Sequence, residues 1–168
     1  MIDFIDARAP QGAWLVGHSL GGLLSLLAAC KRPDLAHGLV LLDSPVITGW
    51  RSHTVQMLKR SRLIQRLGPG KVSITRRMLA QYRAVETRIY DTLPHHLGAV
   101  LRRHPPHCPV GFIGGTRSRE LRQGGLAQAR ALAGERFAWV EGTHLYQMEK
   151  PQQTADQVMA LLAGMAAG

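Results

Sequence analysis

Ala13-Trp14-Leu15-Val16-Gly17-His18-Ser19-Leu20-Gly21-Gly22-Leu23-Leu24-Ser25-Leu26-Leu27-Ala28-Ala29-Cys30-Lys31 joins two apolar runs through a cluster of glycines. The apolar run Ala13 to Val16 is too short for a stable helix and reads as a buried strand. Leu20 to Lys31 reads as a helix, and Gly17, Gly21 and Gly22 crowd the junction between the two. From Ala9 to Cys30 there is no Asp, Glu, Lys or Arg, and the run is nominally long enough to span a bilayer. Pro10, Gln11, His18, Ser19 and the three glycines break it into two elements. Strand, turn and helix is therefore the reading, and a single membrane helix is excluded.

Working outward, three more short apolar runs bounded by Gly or Pro have strand character: Leu39 to Leu42, Val110 to Ile113 and Phe137 to Val140. None alternates clearly, which predicts burial on both faces and a parallel sheet. Helical patterns lie between or beyond them, at Leu20 to Lys31, Thr54 to Leu67, Thr75 to Arg88, Leu97 to Arg103, Glu120 to Leu132 and Gln152 to Met165. Strands alternating with helices predict an α/β fold with right-handed crossovers. The connection between the second and third strands, residues 43 to 109, far exceeds the dozen or so residues that a crossover requires. An excursion of that size predicts a helical cap over residues 46–108 within a single domain of residues 1–168.

Composition agrees with a globular domain. The chain has 168 residues, 45% of them hydrophobic and 19% charged, and a chain of this length buries about two-thirds of its unfolded surface without disulfide staples. Cys30 and Cys108 accordingly read as idle thiols in a reducing, cytoplasmic setting. Acids at Asp3 and Asp6 stand where a secretory signal would carry Lys or Arg. The net charge of +10 is concentrated: residues 51–103 hold twelve basic groups and two acids, and the remainder is neutral. A basic segment of this kind fits a solvated arginine-rich surface or an anionic partner. Nucleic acid is disfavoured, because Trp50, Tyr82 and Tyr90 are the only aromatics of residues 46–108 and base stacking needs more.

The chemistry sits in the glycine-rich junction. Gly17-His18-Ser19-Leu20-Gly21 has the form G-x-S-x-G, and between a strand and a helix that form describes a nucleophile elbow. Small residues two places either side of the serine let the backbone turn tightly and expose the hydroxyl. The helix dipole and the Leu20 N–H then face a developing oxyanion. As a bare pattern the motif also fits a glycine-rich turn with a capping serine, so its flanking elements carry the argument.

Leu15-Val16-Gly17-His18-Ser19-Leu20-Gly21-Gly22 resembles the elbow of the α/β-hydrolase superfamily. The resemblance extends over most of the chain, with Met1 to Ala9 similar to the helix before the nucleophile strand and Leu39 to Pro45 to the next strand and its exit loop. Residues 46–108 resemble the cap inserted at this place in many members. Val140-Glu141-Gly142-Thr143-His144-Leu145-Tyr146 resembles the loop that carries the catalytic histidine. The resemblance implies a partial hydrolase fold of about four strands lacking the family's N-terminal strands. It also implies a site short of the second oxyanion N–H that a loop after one of those strands supplies, and a nucleophile strand at the sheet's edge.

A serine at its free pKa is a poor nucleophile and needs a neutral imidazole within hydrogen-bond reach. His144 is the candidate, because it follows a strand and a Gly-Thr turn at the same edge of the sheet as Ser19. His18 lies inside the elbow and is expected to point elsewhere. The resemblance places an acid shortly after the third strand, in Phe112-Ile113-Gly114-Gly115-Thr116-Arg117-Ser118-Arg119-Glu120, yet Ser118 stands at that position. Glu120, two residues on, and Asp43, at the exit of the second strand, are the two candidates for the third member. Neither His95-His96 nor the His104 to Cys108 segment has the ligand set of a metal site, and no cofactor is expected. Two readings follow: a serine hydrolase acting on a small-molecule carboxylic ester through an acyl-enzyme on Ser19, or a non-catalytic remnant of that fold whose basic cap binds an anionic partner.

Overall fold

The computed structural model describes residues 1–46, 96–118 and 125–167. Packing divides the chain at Val46 and Val100, and the unit formed by Met1–Val46 with Val100–Gly168 contains the sheet. Four strands, β1 (Ala13–His18), β2 (Ala36–Leu42), β3 (Val110–Gly115) and β4 (Phe137–Val140), pair side by side in that order, all parallel. The helices are α1 (Ile2–Arg8), α2 (Leu20–Lys31), α3 (Leu126–Ala133), α4 (Tyr146–Glu149) and α5 (Pro151–Ala166), with a 3-10 turn at Pro33–Leu35. Residues 96–103 are helical as well.

Each predicted strand is present, and three are longer than their apolar runs. β1 continues through Gly17 and His18 because these residues pair with Leu41 and Leu42 of β2. β2 starts at Ala36, since Ala36 and Gly38 pair with Ala13 and Trp14. Backbone pairing, which hydropathy does not report, sets these ends. β2 and β3 are buried almost throughout, as the absence of alternation predicts. β1 departs from that expectation: it lies at the edge of the described sheet, with Trp14 and Val16 exposed.

Side chains on alternate positions of a strand point to opposite faces. Val40, Leu42, Ile113 and Val140 lie on the face that packs with Tyr146 and with Val158, Leu161, Leu162 and Met165 of the last two helices. The intervening Leu39, Leu41 and Phe112 are fully buried on the other side. There α2 packs on β1 and β2, and α3 on β3. Phe112 stacks on Phe137 at 5.0 Å, and the Arg130 guanidinium of α3 lies over the Phe137 ring.

Among the described residues, no helix is long and apolar enough to cross a membrane. The predicted cap helices at Thr54 to Leu67 and Thr75 to Arg88, and most of the basic segment that carries the net charge, lie outside the described residues. So do residues 119–124, the first part of the helix expected over Glu120 to Leu132.

Candidate active site

All four strands are parallel, so their C-terminal ends share one edge of the sheet, where ligands meet folds of this type. Ser19 follows β1, Asp43 follows β2, Ser118 follows β3 and His144 follows β4. Residues separated by up to 125 positions thereby converge on one edge.

Ser19 caps α2 with φ 52° and ψ −119°, a backbone geometry that a non-glycine residue adopts only under local strain. Its N–H is held by the Leu42 carbonyl at 2.9 Å. The turn is permitted by two glycines. A Cβ on Gly17 would lie 2.6 Å from the Gly22 Cα, and one on Gly22 would lie 1.9 Å from Ser44 Oγ and 2.7 Å from the Gly17 carbonyl. Gly21 is different: a Cβ there meets nothing within 4 Å. The close approach expected of Gly17 and Gly21 therefore rests on Gly17 and Gly22. Leu20 opens α2, so its N–H is one of the four that a helix leaves without an intrahelical partner.

His144 links the other two groups. Its Nε2 accepts from Ser19 Oγ at 2.9 Å, and its Nδ1–H donates to Asp43 Oδ2 at 2.6 Å. The imidazole is partly open to solvent, whereas Asp43 is completely buried. Asp43 has φ 46°, a left-handed conformation that Asp tolerates better than most residues. Its N–H donates to the Ile113 carbonyl at 2.8 Å. Its Oδ1 accepts from the Gly115 N–H at 3.1 Å, and its Oδ2 accepts from Ser118 Oγ at 2.5 Å as well as from His144. A buried carboxylate is tolerable only when donors replace its water, and Asp43 has three among the described residues. Of the two carboxylates considered for the third position, Asp43 is the one that meets His144; Glu120 lies outside the described residues.

The loop carrying His144 is braced from several sides. Tyr146 Oη donates to the Ile113 carbonyl at 2.9 Å, and burial pushes this phenol's pKa well up. Thr116 and Arg117 donate their N–H groups to the Val140 and Gly142 carbonyls. Glu149 accepts from the Thr143 hydroxyl and forms an ion pair with Arg117 at 3.1 Å. The Thr143 hydrogen bond, foremost, holds the Glu149 carboxyl below its usual range.

His18, which is not expected to serve Ser19, has a different partner: its Nε2–H donates to the His144 carbonyl at 2.8 Å, and the two rings are 4.6 Å apart. A carbonyl only accepts, so Nε2 carries the proton. Burial, the largest influence, lowers the His18 pKa. Among the residues that sequence reasoning missed, Ser118 and Tyr146 left faint signals. Ser118 stands at the expected acid position, and Tyr146 is a large aromatic just past the histidine.

The parallel sheet, the strained elbow and the Ser19–His144–Asp43 hydrogen-bond chain define a protein with the architecture of α/β hydrolases. The chain belongs to the alpha/beta hydrolase family, whose family model matches residues 1–157. Among curated proteins it is similar to the mouse (Mus musculus) sn-1-specific diacylglycerol lipase ABHD11, with 27% identity over 179 aligned positions that cover 89% of this chain and 58% of the lipase. The chain thus spans a little over half the length of that curated relative. Similar solved structures include the thioesterase domain of the curacin biosynthetic pathway, with a TM-score of 0.61 and 19% identity, covering 94% of this chain and 69% of that one. A carboxylesterase from Nitrososphaera gargenis aligns with a TM-score of 0.61 and 15% identity over 98% of this chain and 72% of its own. At such identities the likeness shows the fold.

Proposed function

We propose that this chain is a serine hydrolase of the acyl-transfer type that cleaves a small-molecule carboxylic ester through an acyl-enzyme on Ser19. The single observation that carries the reading is the bridging imidazole of His144, 2.9 Å from Ser19 Oγ and 2.6 Å from Asp43 Oδ2. A neutral imidazole whose Nδ1–H is given to a carboxylate presents a bare Nε2 to the hydroxyl, which is the protonation state of a general base.

In this mechanism Ser19 Oγ attacks the ester carbonyl while His144 Nε2 takes the serine proton. The oxyanion of the tetrahedral intermediate faces the Leu20 N–H at the positive end of α2. His144 then returns the proton to the leaving alcohol. Water deprotonated by His144 attacks the acyl-enzyme, and the proton passes back to Ser19 Oγ as the acid leaves. Through both halves Asp43 holds the imidazole in one tautomer and offsets the imidazolium charge. The ester substrate is supported by the named activities of the similar proteins, a diacylglycerol lipase and a carboxylesterase.

The test is labelling with a fluorophosphonate probe, followed by mass mapping of the adduct and by hydrolysis of p-nitrophenyl butyrate. The expected result is a single adduct on Ser19, none in Ser19→Ala, and release of p-nitrophenol by the unaltered chain. A folded wild-type chain that takes no label and releases no product would overturn the proposal.

A further inference from the structure

Ser118 stands where the family resemblance expects an acid, is 1% exposed, and meets the carboxylate that has come from a different strand. Its hydroxyl donates to Asp43 Oδ2, because an ionised carboxylate only accepts. That same oxygen receives the His144 Nδ1–H, so both of its lone pairs are engaged, at 2.5 Å and 2.6 Å. The segment that carries Ser118 also braces the histidine loop through the Thr116 and Arg117 amides, and Ser118 itself is turned in by its N–H to the Gly115 carbonyl at 3.0 Å. One short loop thereby sets the positions of both members of the Asp43–His144 pair.

We propose that Ser118 is a positioning residue of this site: its hydroxyl holds the Asp43 carboxylate in line with His144. The inference rests on the serine hydrolase reading for its catalytic meaning. The physical reason is the burial of the anion. With Asp43 and neutral His144 the pair carries one net negative charge, and the Ser118 and Gly115 donors stand in for water around it. Removal of one donor destabilises that state more than the protonated pair, in which the charge is compensated, so the proton is taken up at higher pH. Among the described residues, the other titratable groups around the pair are His18, whose ring faces His144, Tyr146, whose hydroxyl is bound to Ile113, and the Arg117–Glu149 ion pair on the exposed side. Each of these has a different acceptor or partner, which leaves the second lone pair of Oδ2 to Ser118.

Two measurements on the full chain test this. The first is the titration of His144, followed by NMR of its ring protons and nitrogens, including the Nδ1–H shared with Asp43. The second is the pH dependence of fluorophosphonate labelling at Ser19. In Ser118→Ala the His144 titration and the acid limb of the labelling profile are expected to move up together by about one pH unit. The labelling plateau is expected to fall roughly tenfold, the worth of one hydrogen bond to a charged group. Ser118→Thr, which keeps the hydroxyl, is expected to restore both. If the alanine variant does not fold, Ser118→Cys fills the same space with a weaker donor and must shift the titration in the same direction. A folded variant without the hydroxyl that titrates and labels like the wild type would overturn the proposal. The titration is read without turnover, so a shifted titration on a chain whose Ser19 takes no label would refute the hydrolase reading and uphold the role of Ser118.

Discussion

Asp43→Asn tests the site most sharply, because both orientations of the new amide are penalised by neighbours already in place. With its oxygen where Oδ2 sits, the amide keeps the bonds from His144 and Ser118 but sets its NH2 against the Gly115 N–H, now 3.1 Å from Oδ1. A buried donor facing a donor costs about 1–3 kcal/mol. In the reverse orientation the NH2 donates to His144 Nδ1, the imidazole proton moves to Nε2, and Ser19 loses its base. Either way the full negative charge beside the developing imidazolium is gone. At about 4 Å and an effective dielectric of about 20 that attraction is worth about 4 kcal/mol, or about a thousandfold in rate. With the tautomer penalty, the expected loss in the labelling rate of Ser19 and in kcat/KM for p-nitrophenyl butyrate is about 10³- to 10⁴-fold. The left-handed backbone at φ 46° accepts Asn as readily as Asp, so the melting curve should remain cooperative. A folded Asp43→Asn chain within tenfold of wild type would refute the assignment of Asp43 to His144.

Gly22→Ala would drive a methyl group into Ser44 Oγ and the Gly17 carbonyl, and a loss of about 1–3 kcal/mol in chemical denaturation is expected; Gly21→Ala, with open space around it, should unfold at the wild-type denaturant concentration. Tyr146→Phe removes a buried donor from the Ile113 carbonyl, but that carbonyl also accepts from the Asp43 N–H at 2.8 Å and is not orphaned. A loss of about 1 kcal/mol is expected, seen as a fall in Tm of roughly 2–4 °C. Glu149 has a folded pKa depressed first by the Thr143 hydroxyl, so its contribution is present above its unfolded pKa and is lost as pH falls through the folded value. The melting temperature of wild type should therefore drop more between neutral and strongly acidic pH than that of Glu149→Gln, and identical slopes would show that the Glu149 brace is idle.

Much of this protein was legible in its residues. The short apolar runs located the four strands, their lack of alternation predicted a parallel sheet, and the glycine-rich junction around Ser19 announced the elbow. Such features are local: hydropathy, chain length and the tolerance of glycine for tight turns act within a few residues and leave a direct trace. His144 was legible for a related reason, since a Gly-Thr turn after a strand, at the same sheet edge as the serine, is a pattern of order along the chain.

The partners of His144 were a different matter. Asp43 is separated from it by 101 residues and Ser118 from Asp43 by 75, and only the pairing of β2 with β3 and β3 with β4 brings these three exits together. Asp43 and Glu120 are equivalent as carboxylates on paper; Asp43 is found at a left-handed backbone bend with donors supplied by Gly115, Ser118 and His144 from two other strand exits. His18 likewise faces the histidine loop because β1 pairs with β2 and the loop folds back over the elbow, a placement that no property of the hexapeptide Gly17 to Gly22 encodes. Local hydropathy, strand order and backbone sterics made the sheet, the elbow and the candidate pair Ser19 and His144 readable along the chain. Only the tertiary structure shows that the Asp43 carboxylate reaches His144 and which donors surround it, because a buried charge is settled by every donor that reaches it, from however far along the chain.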